Sequence, residues 1–258
     1  MKHVKIKAFD CPDAYVQTLS RIHHEGDDFY VGYGSEITNT KKLNITIEIE
    51  HPENLPILSS KAPCDIKYVQ GYALEYLWCP EKQDDEIYTY GYRLQNPVDQ
   101  ISEVKKRVVN EPRDRQLTMV LRRPDDIYKN LEGRKHEPPC LSLIDCEVLD
   151  GKFHLTSYFR SWDAYAGLPA NIAGIQIFNE SFVKDINNLG YELKGNEWEE
   201  LQTGKLIFHS KNCHIYERNA KLVEDLLGLS RNKETKTHMQ KVEEMKSSSD
   251  SNSNAHGN

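Results

Sequence analysis

The stretch RSWDAYAGLPAN, running from Arg160 to Asn171, decides how the rest of this chain is read. It follows GKFHLTSYF (Gly151 to Phe159), whose alternation predicts a half-buried strand. Gly167, Leu168 and Pro169 then predict a turn with a close backbone approach before NIAGIQIF, an apolar run expected to be helical. Arg160 beside Ser161 suits a phosphate dianion, because the guanidinium offers a fork of donors and the hydroxyl adds one. Asp163 supplies a carboxylate. Asn171 supplies an amide that donates and accepts side by side, which is how a heterocycle edge is read. An anion grip, a carboxylate and an amide reader within twelve residues point to a nucleotide pocket.

Bulk properties narrow the setting. With 258 residues, 38% hydrophobic and 28% charged, the chain can form one substantial core and reads as soluble. A net charge of -7 argues against unspecific nucleic-acid binding but leaves room for a local basic pocket. The N-terminus MKHVKIKAFDCPD lacks the apolar core of a signal peptide, and no apolar run reaches membrane length. A cytoplasmic location is therefore expected, with the six cysteines at 11, 64, 79, 140, 146 and 213 as thiols. They stand singly, without CxxC or paired histidines, so no metal site is expected. From Ser230 the composition turns polar and low in complexity, predicting one domain over 1–229 and a disordered tail over 230–258.

Outward from the central stretch, strands are expected at Val4 to Phe9, Asn44 to Glu50, Arg115 to Leu121, Pro139 to Leu149 and Leu206 to Tyr216. Helices are expected from Pro12 to Ile22, from Asp65 to Trp78 and after Asn96-Pro97, with Asn96 as cap. The helix entered at the central stretch should end near Ile186, and a short one should follow Tyr216. Several neighbouring strands have short links, which favours an α+β arrangement with a mixed, largely antiparallel sheet covered by helices.

Cys140, introduced by two prolines at the mouth of a strand, is the candidate nucleophile. If Asp150-Gly151 forms a hairpin turn, Arg160 returns beside it, and a cation there favours the thiolate. His214 and Tyr216 alternate to one face of their strand and can address one ligand. Glu75, at the end of its helix, and Arg115, among arginines at 113, 115, 122 and 123, are each most simply surface charge when read alone.

Together these pieces resemble thymidylate synthase. The resemblance rests on PPC ending at Cys140, DGK at 150–152, RSWD and GLPAN from Arg160 to Asn171, and HIY at 214–216, with EYLW and YGYR extending it upstream. The short chain with a compressed middle is most similar to the archaeal-type branch. The resemblance implies a methyltransferase that converts dUMP to dTMP, with Cys140, Glu75 and Asn171 as catalytic residues. Cys140 would add to C6 of uracil, Asn171 would hold O4 and N3, and Glu75 would organise water and move protons. Arg160 and Ser161 would bind the phosphate, His214 and Tyr216 the deoxyribose hydroxyl, and Asp163 the pterin of the carbon donor. That donor would be methylene-tetrahydrofolate or a methylene-tetrahydromethanopterin-like carrier. The family is a homodimer that lends arginines across its interface, with Arg115 the first counterpart here and Arg122 and Arg123 behind it; a monomer also stays open.

The chain departs from the family at several places. Leu141 follows the nucleophile where histidine is usual, Phe159 stands where a glutamine precedes the Arg-Ser pair, and Gln116 replaces a second arginine. The N-terminal arginine loop has only YGSEITNTKK as a counterpart, and the closing C-terminal segment is replaced by the polar tail. Other readings are a pyrimidine nucleotide hydroxymethylase, a Cys-His hydrolase using Cys140 and His214, and a non-catalytic nucleotide-binding protein.

Overall fold

Alternating apolar residues build the sheet, and the spacing of the rest builds the helices that lie on it. The computed structural model describes residues 2–33, 36–128, 130–131, 134–135 and 137–229. The first elements are β1 (His3–Ala8), α1 (Cys11–Glu25), β2 (Asp27–Tyr33), β3 (Glu36–Ile49), α2 (Ile66–Gly71), α3 (Tyr90–Gln95), α4 (Gln100–Asn110) and β4 (Met119–Val120). A small ribbon of β5 (Asn130–Leu131) and β6 (Arg134–Lys135) follows, then β7 (Leu141–Leu149), β8 (Lys152–Phe159), β9 (Trp162–Asp163), α5 (Gly167–Lys194) and β10 (Gln202–Tyr216). The chain divides into two compact units, Met1–Glu217 and Arg218–Asn258. The second contains α6 (Ala220–Leu226); the expected disordered tail from Ser230 lies outside the described residues.

The main sheet has the order β1-β3-β10-β8-β7-β4, with β2 on β3 and β9 on β10. β1 is parallel to β3, and β8 and β9 are parallel to β10; the remaining pairings are antiparallel. This is the mixed, mostly antiparallel α+β sheet read from the sequence. Ile45, Ile47 and Ile49 of β3, Leu206 and Phe208 of β10, and Phe153, Leu155 and Phe159 of β8 share one buried face. Helices α1 and α5 pack on that side, α1 through Ala14, Tyr15, Leu19 and Ile22.

Several boundaries differ from expectation for local reasons. The Asp65 to Trp78 segment begins as predicted, with the Asp65 carboxylate accepting from Tyr68 N at 2.8 Å. It then widens to π-type bonding over Tyr72–Trp78, closed by Cys79 N donating to Leu74 O at 3.0 Å. Asp99, not Asn96, caps α4 by accepting from Ser102 N, while the Asn96 amide donates to Pro80 O. The expected strand at Arg115 to Leu121 shrinks to Met119–Val120. Gln100 explains the short edge: its Oε1 accepts from Val120 N at 2.7 Å and its Nε2 donates to Val120 O at 3.1 Å. A side-chain amide thus stands where the next strand would pair. Tyr90–Gln95, which carries the YGYR motif and for which no helix was expected, is a helix capped by Thr89, and α5 runs on past Ile186 to Lys194.

Candidate active site

The turn at Asp150-Gly151 sets the geometry of everything near Cys140. Both residues adopt left-handed backbone, φ 51 and 71, the conformation a two-residue hairpin needs and Asp-Gly supplies. The register runs from Leu149 opposite Lys152 to Leu141 opposite Phe159, so Cys140 and Arg160 emerge together at the far end. Arg160 N donates to Cys140 O at 2.8 Å. Its guanidinium donates from Nε to Pro139 O at 3.0 Å and from Nη2 to Pro138 O at 2.6 Å. Arg160 therefore clasps the double proline that presents the cysteine, with two of its five N–H donors used this way.

Cys140 is a half-buried free thiol. Burial pushes its pKa above the ordinary value, the Arg160 cation pulls it down, and Glu137 adds to the rise. The cation acts in the direction expected from the sequence, but burial outweighs it, so the expectation of a favoured thiolate is corrected for the protein by itself. Leu141 and Phe159 are both fully buried. Being apolar, they turn into the core, and Phe159 stacks on Trp162 with ring centroids 4.2 Å apart.

Four tyrosines that the sequence reading did not single out lie in the neighbourhood of the same thiol. Tyr72, Tyr76, Tyr88 and Tyr90 all lie close enough to Cys140 to feel its charge. Tyr72 and Tyr76 stack at 5.8 Å, Tyr88 and Tyr90 at 6.2 Å, and Tyr90 OH accepts from Leu141 N at 3.3 Å. Burial raises all four phenols, Tyr76 to about 12, so they are neutral hydrogen-bonding groups near pH 7. The i, i+4 spacing of 72 and 76 and the alternation of 88 and 90 were the available signals.

Beside this cluster lies a cavity of 370 Å³ that gathers Arg160, Ser161, His214 and Tyr216 with Arg122, Lys211 and Asn212. Its apolar wall is Phe29 and Val31 of β2. Among the described residues, three cations and no carboxylate line it, which suits an anion. Asn212 Nδ2 donates to Ser161 Oγ at 3.4 Å. His214 Nδ1 meets the carbonyl of Asn212 at 3.2 Å; a carbonyl only accepts, so the ring proton sits on Nδ1 and Nε2 is the acceptor of the neutral ring. His214 and Tyr216 stand edge to face, 4.7 Å apart.

β9 connects the cavity to the amide. Trp162 pairs with Cys213 and Asp163 with His214. Asp163 Oδ1 accepts from Tyr165 N at 3.0 Å and Ala166 N at 3.1 Å, organising the entry to α5. One turn into α5, Asn171 Oδ1 accepts from Trp162 Nε1 at 2.9 Å; the Tyr72 hydroxyl is near it but makes no hydrogen bond among the described residues. Glu75 is exposed on the π-type turn; it is its neighbours Tyr72 and Tyr76 that sense the thiol. Arg115 is exposed and lines a different cavity of 770 Å³, with Asp145, Glu147 and His154. In the segment expected to replace the arginine loop, Gly34 and Ser35 lie outside the described residues. Among the described residues no group of three or more His, Cys, Asp or Glu forms a metal site, and no helix is long and apolar enough to cross a membrane.

A mixed sheet with helices on one face, a cysteine at a strand mouth and a cationic cavity beside it define the class, an α+β protein with a cation-lined cavity. The thymidylate synthase family model matches residues 14–254, and the chain belongs to that family. It is 28% identical over 225 residues to a protein named "Putative thymidylate synthase" from Methanosarcina acetivorans, covering 86% of this chain and 94% of the relative. It is 25% identical over 244 residues to one of the same name from Methanothermobacter thermautotrophicus, covering 86% and 97%. A "Thymidylate synthase" from Vesicomyosocius okutanii is 27% identical over 168 residues, covering 62% and 57%. The Methanosarcina and Methanothermobacter matches, both archaeal, agree with the archaeal-type resemblance.

Proposed function

We propose that this protein carries out the reductive methylation of dUMP to dTMP. The observation that supports this most is one cavity that collects Arg160, Ser161, His214 and Tyr216 while the Arg160 guanidinium holds the two prolines before Cys140. In this reading the phosphate sits among Arg122, Arg160, Lys211 and Ser161, and His214 and Tyr216 take the deoxyribose hydroxyl. Cys140 loses its proton and adds to C6, which makes C5 nucleophilic; the developing charge on O4 is met by Asn171 Nδ2. Asp163, with Oδ1 engaged by the backbone, has Oδ2 to accept from a pterin N–H. When bound, a methylene-carrying reduced pterin supplies the one-carbon unit and the hydride. Glu75 orders water and moves protons at the mouth of the site. The working form is a homodimer in which Arg115 reaches the phosphate of the partner subunit. The chain works in the cytoplasm.

Tritium release from dUMP labelled at C5, assayed with folate and with methanopterin donors, tests the reaction. Release with either donor and a methylated product are expected. Tight dUMP binding without release from either donor would leave a nucleotide-binding protein instead, and a hydroxymethylated product would replace hydride transfer with hydration.

A further inference from the structure

An asparagine can read two pyrimidines. With Oδ1 facing N3 and Nδ2 facing position 4, it accepts from the N3–H of uracil and donates to O4. Turned over by half a rotation, the same amide donates to the bare N3 of cytosine and accepts from its 4-amino group. The two readings use equivalent hydrogen bonds, so an amide free to turn discriminates poorly. Selectivity requires something that prevents the turn.

In this chain that restraint is an indole. Trp162 Nε1 is a donor and never an acceptor, and it lies 2.9 Å from Asn171 Oδ1. Turning the amide would set Nδ2–H against Nε1–H, losing one bond and leaving two donors opposed, with the indole 2% exposed and the amide half-buried. The indole has little freedom to yield. It is stacked on Phe159 at an interplanar angle of 3°, lies 5.3 Å from the Phe208 ring, and is tied by β9 to the strand that carries His214. The Tyr72 ring, seated over Gly174 of α5, closes the site from the opposite element, but its hydroxyl makes no hydrogen bond among the described residues and can donate or accept, so the orientation of the amide rests on the indole.

We propose that Trp162 is the specificity-determining positioning residue of the pocket, holding the Asn171 amide in the orientation that reads uracil and rejects cytosine. The inference rests on the proposed function above. Oδ1 has two lone pairs, so one bond from Trp162 still leaves it able to accept from N3–H. Trp162 acts through Asn171 and touches no reacting atom.

Binding of dUMP and dCMP to the full chain, measured by calorimetry, tests this. Wild type is expected to prefer dUMP. Trp162→Phe keeps an aromatic ring for the stack and removes only the donor, so the preference should fall about fivefold, the worth of one net hydrogen bond, with dCMP binding improving. Phe159→Leu, which loosens the stack that fixes the indole, should shift the ratio the same way by a smaller factor, and it decides the matter if Trp162→Phe does not fold. A merely structural role for Trp162 would weaken both nucleotides equally. An unchanged dUMP to dCMP ratio in the folded variants, or a wild type that prefers dCMP, overturns the inference and leaves the nucleotide pocket standing. A wild type that binds neither nucleotide removes the proposed function as well.

Discussion

Cys140 is under opposing influences, and they predict its chemistry in the free protein. Burial holds the thiol above its ordinary 9.0 and Arg160 partly offsets it. A raised pKa keeps the proton on sulfur to higher pH, so alkylation by iodoacetamide at pH 8 should be slower than for an exposed cysteine. Its rate should still be climbing at pH 9. Arg160→Gln removes the one lowering charge and should slow alkylation further; mass spectrometry of the Cys140 peptide against time gives both rates. A thiol that alkylates faster than a free cysteine at pH 8 would contradict this balance. Two other residues of the site carry a prediction of their own. Arg122 and Lys211 supply cations to the cavity beside Arg160, so Arg122→Ala should weaken dUMP about tenfold, as expected for a charge-assisted hydrogen bond. Lys211 is exposed and its loss should cost less. Neither change should affect deoxyuridine, which lacks the phosphate, and titration of both ligands checks this; equal weakening of the two would place the phosphate elsewhere. At this scale the sequence showed the residues gathered in one motif. It did not show Lys211, and it placed Arg122 only behind Arg115, because charges far apart in the chain meet only through the strand order.

Among the elements, what was legible depended on whether a local rule had a rival. The Asp150-Gly151 turn had none, and it fixed the meeting of Cys140 with Arg160 from sequence alone. The α2 segment had one: the spacing of its apolar residues cannot distinguish α from π bonding, so the widening at Tyr72–Trp78 and the tyrosines it carries were missed. The α4 cap is expected at Asn96, but Asp99 three residues on can equally accept from a backbone N–H and is the residue that does. The π-type turn and α5 meet at Gly174, where an added Cβ would lie 2.5 Å from Tyr72 Cδ1. Gly174→Ala should therefore destabilise the protein by about 1–3 kcal/mol, the usual cost of overpacking, and urea unfolding would measure it; no loss would mean that the two elements separate easily. The segment bearing Arg122 is held by a buried fork: Arg93 Nη2 donates to Asp126 Oδ1 at 2.6 Å and Nη1 to Oδ2 at 3.3 Å. Asp126 also accepts from Arg123 N at 2.7 Å. The Arg93 and Asp126 side chains are 3% and 0% exposed, so Asp126→Ala strands a buried guanidinium and should cost about 3–5 kcal/mol. A loss below about 1 kcal/mol in the same urea experiment would show that Arg93 finds another partner or water.

Taken whole, the first unit is asymmetric: α1 and α5 pack on one face of the sheet, while the opposite face carries polar, half-buried residues such as Thr46, His154, Thr156 and His209. Arg115 lines the cavity where His154, Thr156 and Lys205 project, rather than the cavity of Arg160. A homodimer formed through this face would bring Arg115 of one protomer toward its partner, which is the arrangement the family resemblance implies. Symmetry turns that proposal into a number. Arg115→Ala and Cys140→Ala homodimers should each lose dTMP synthesis, the first by weakened phosphate binding and the second by loss of the nucleophile. Mixed in equal amounts, unfolded and refolded together, half of the dimers would be hybrids. In each hybrid one site joins an intact Cys140 to an intact Arg115 from the other chain, so activity should return to about a quarter of wild type. If Arg115 served its own chain, every site in the mixture would lack one of the two groups, and mixing would restore nothing.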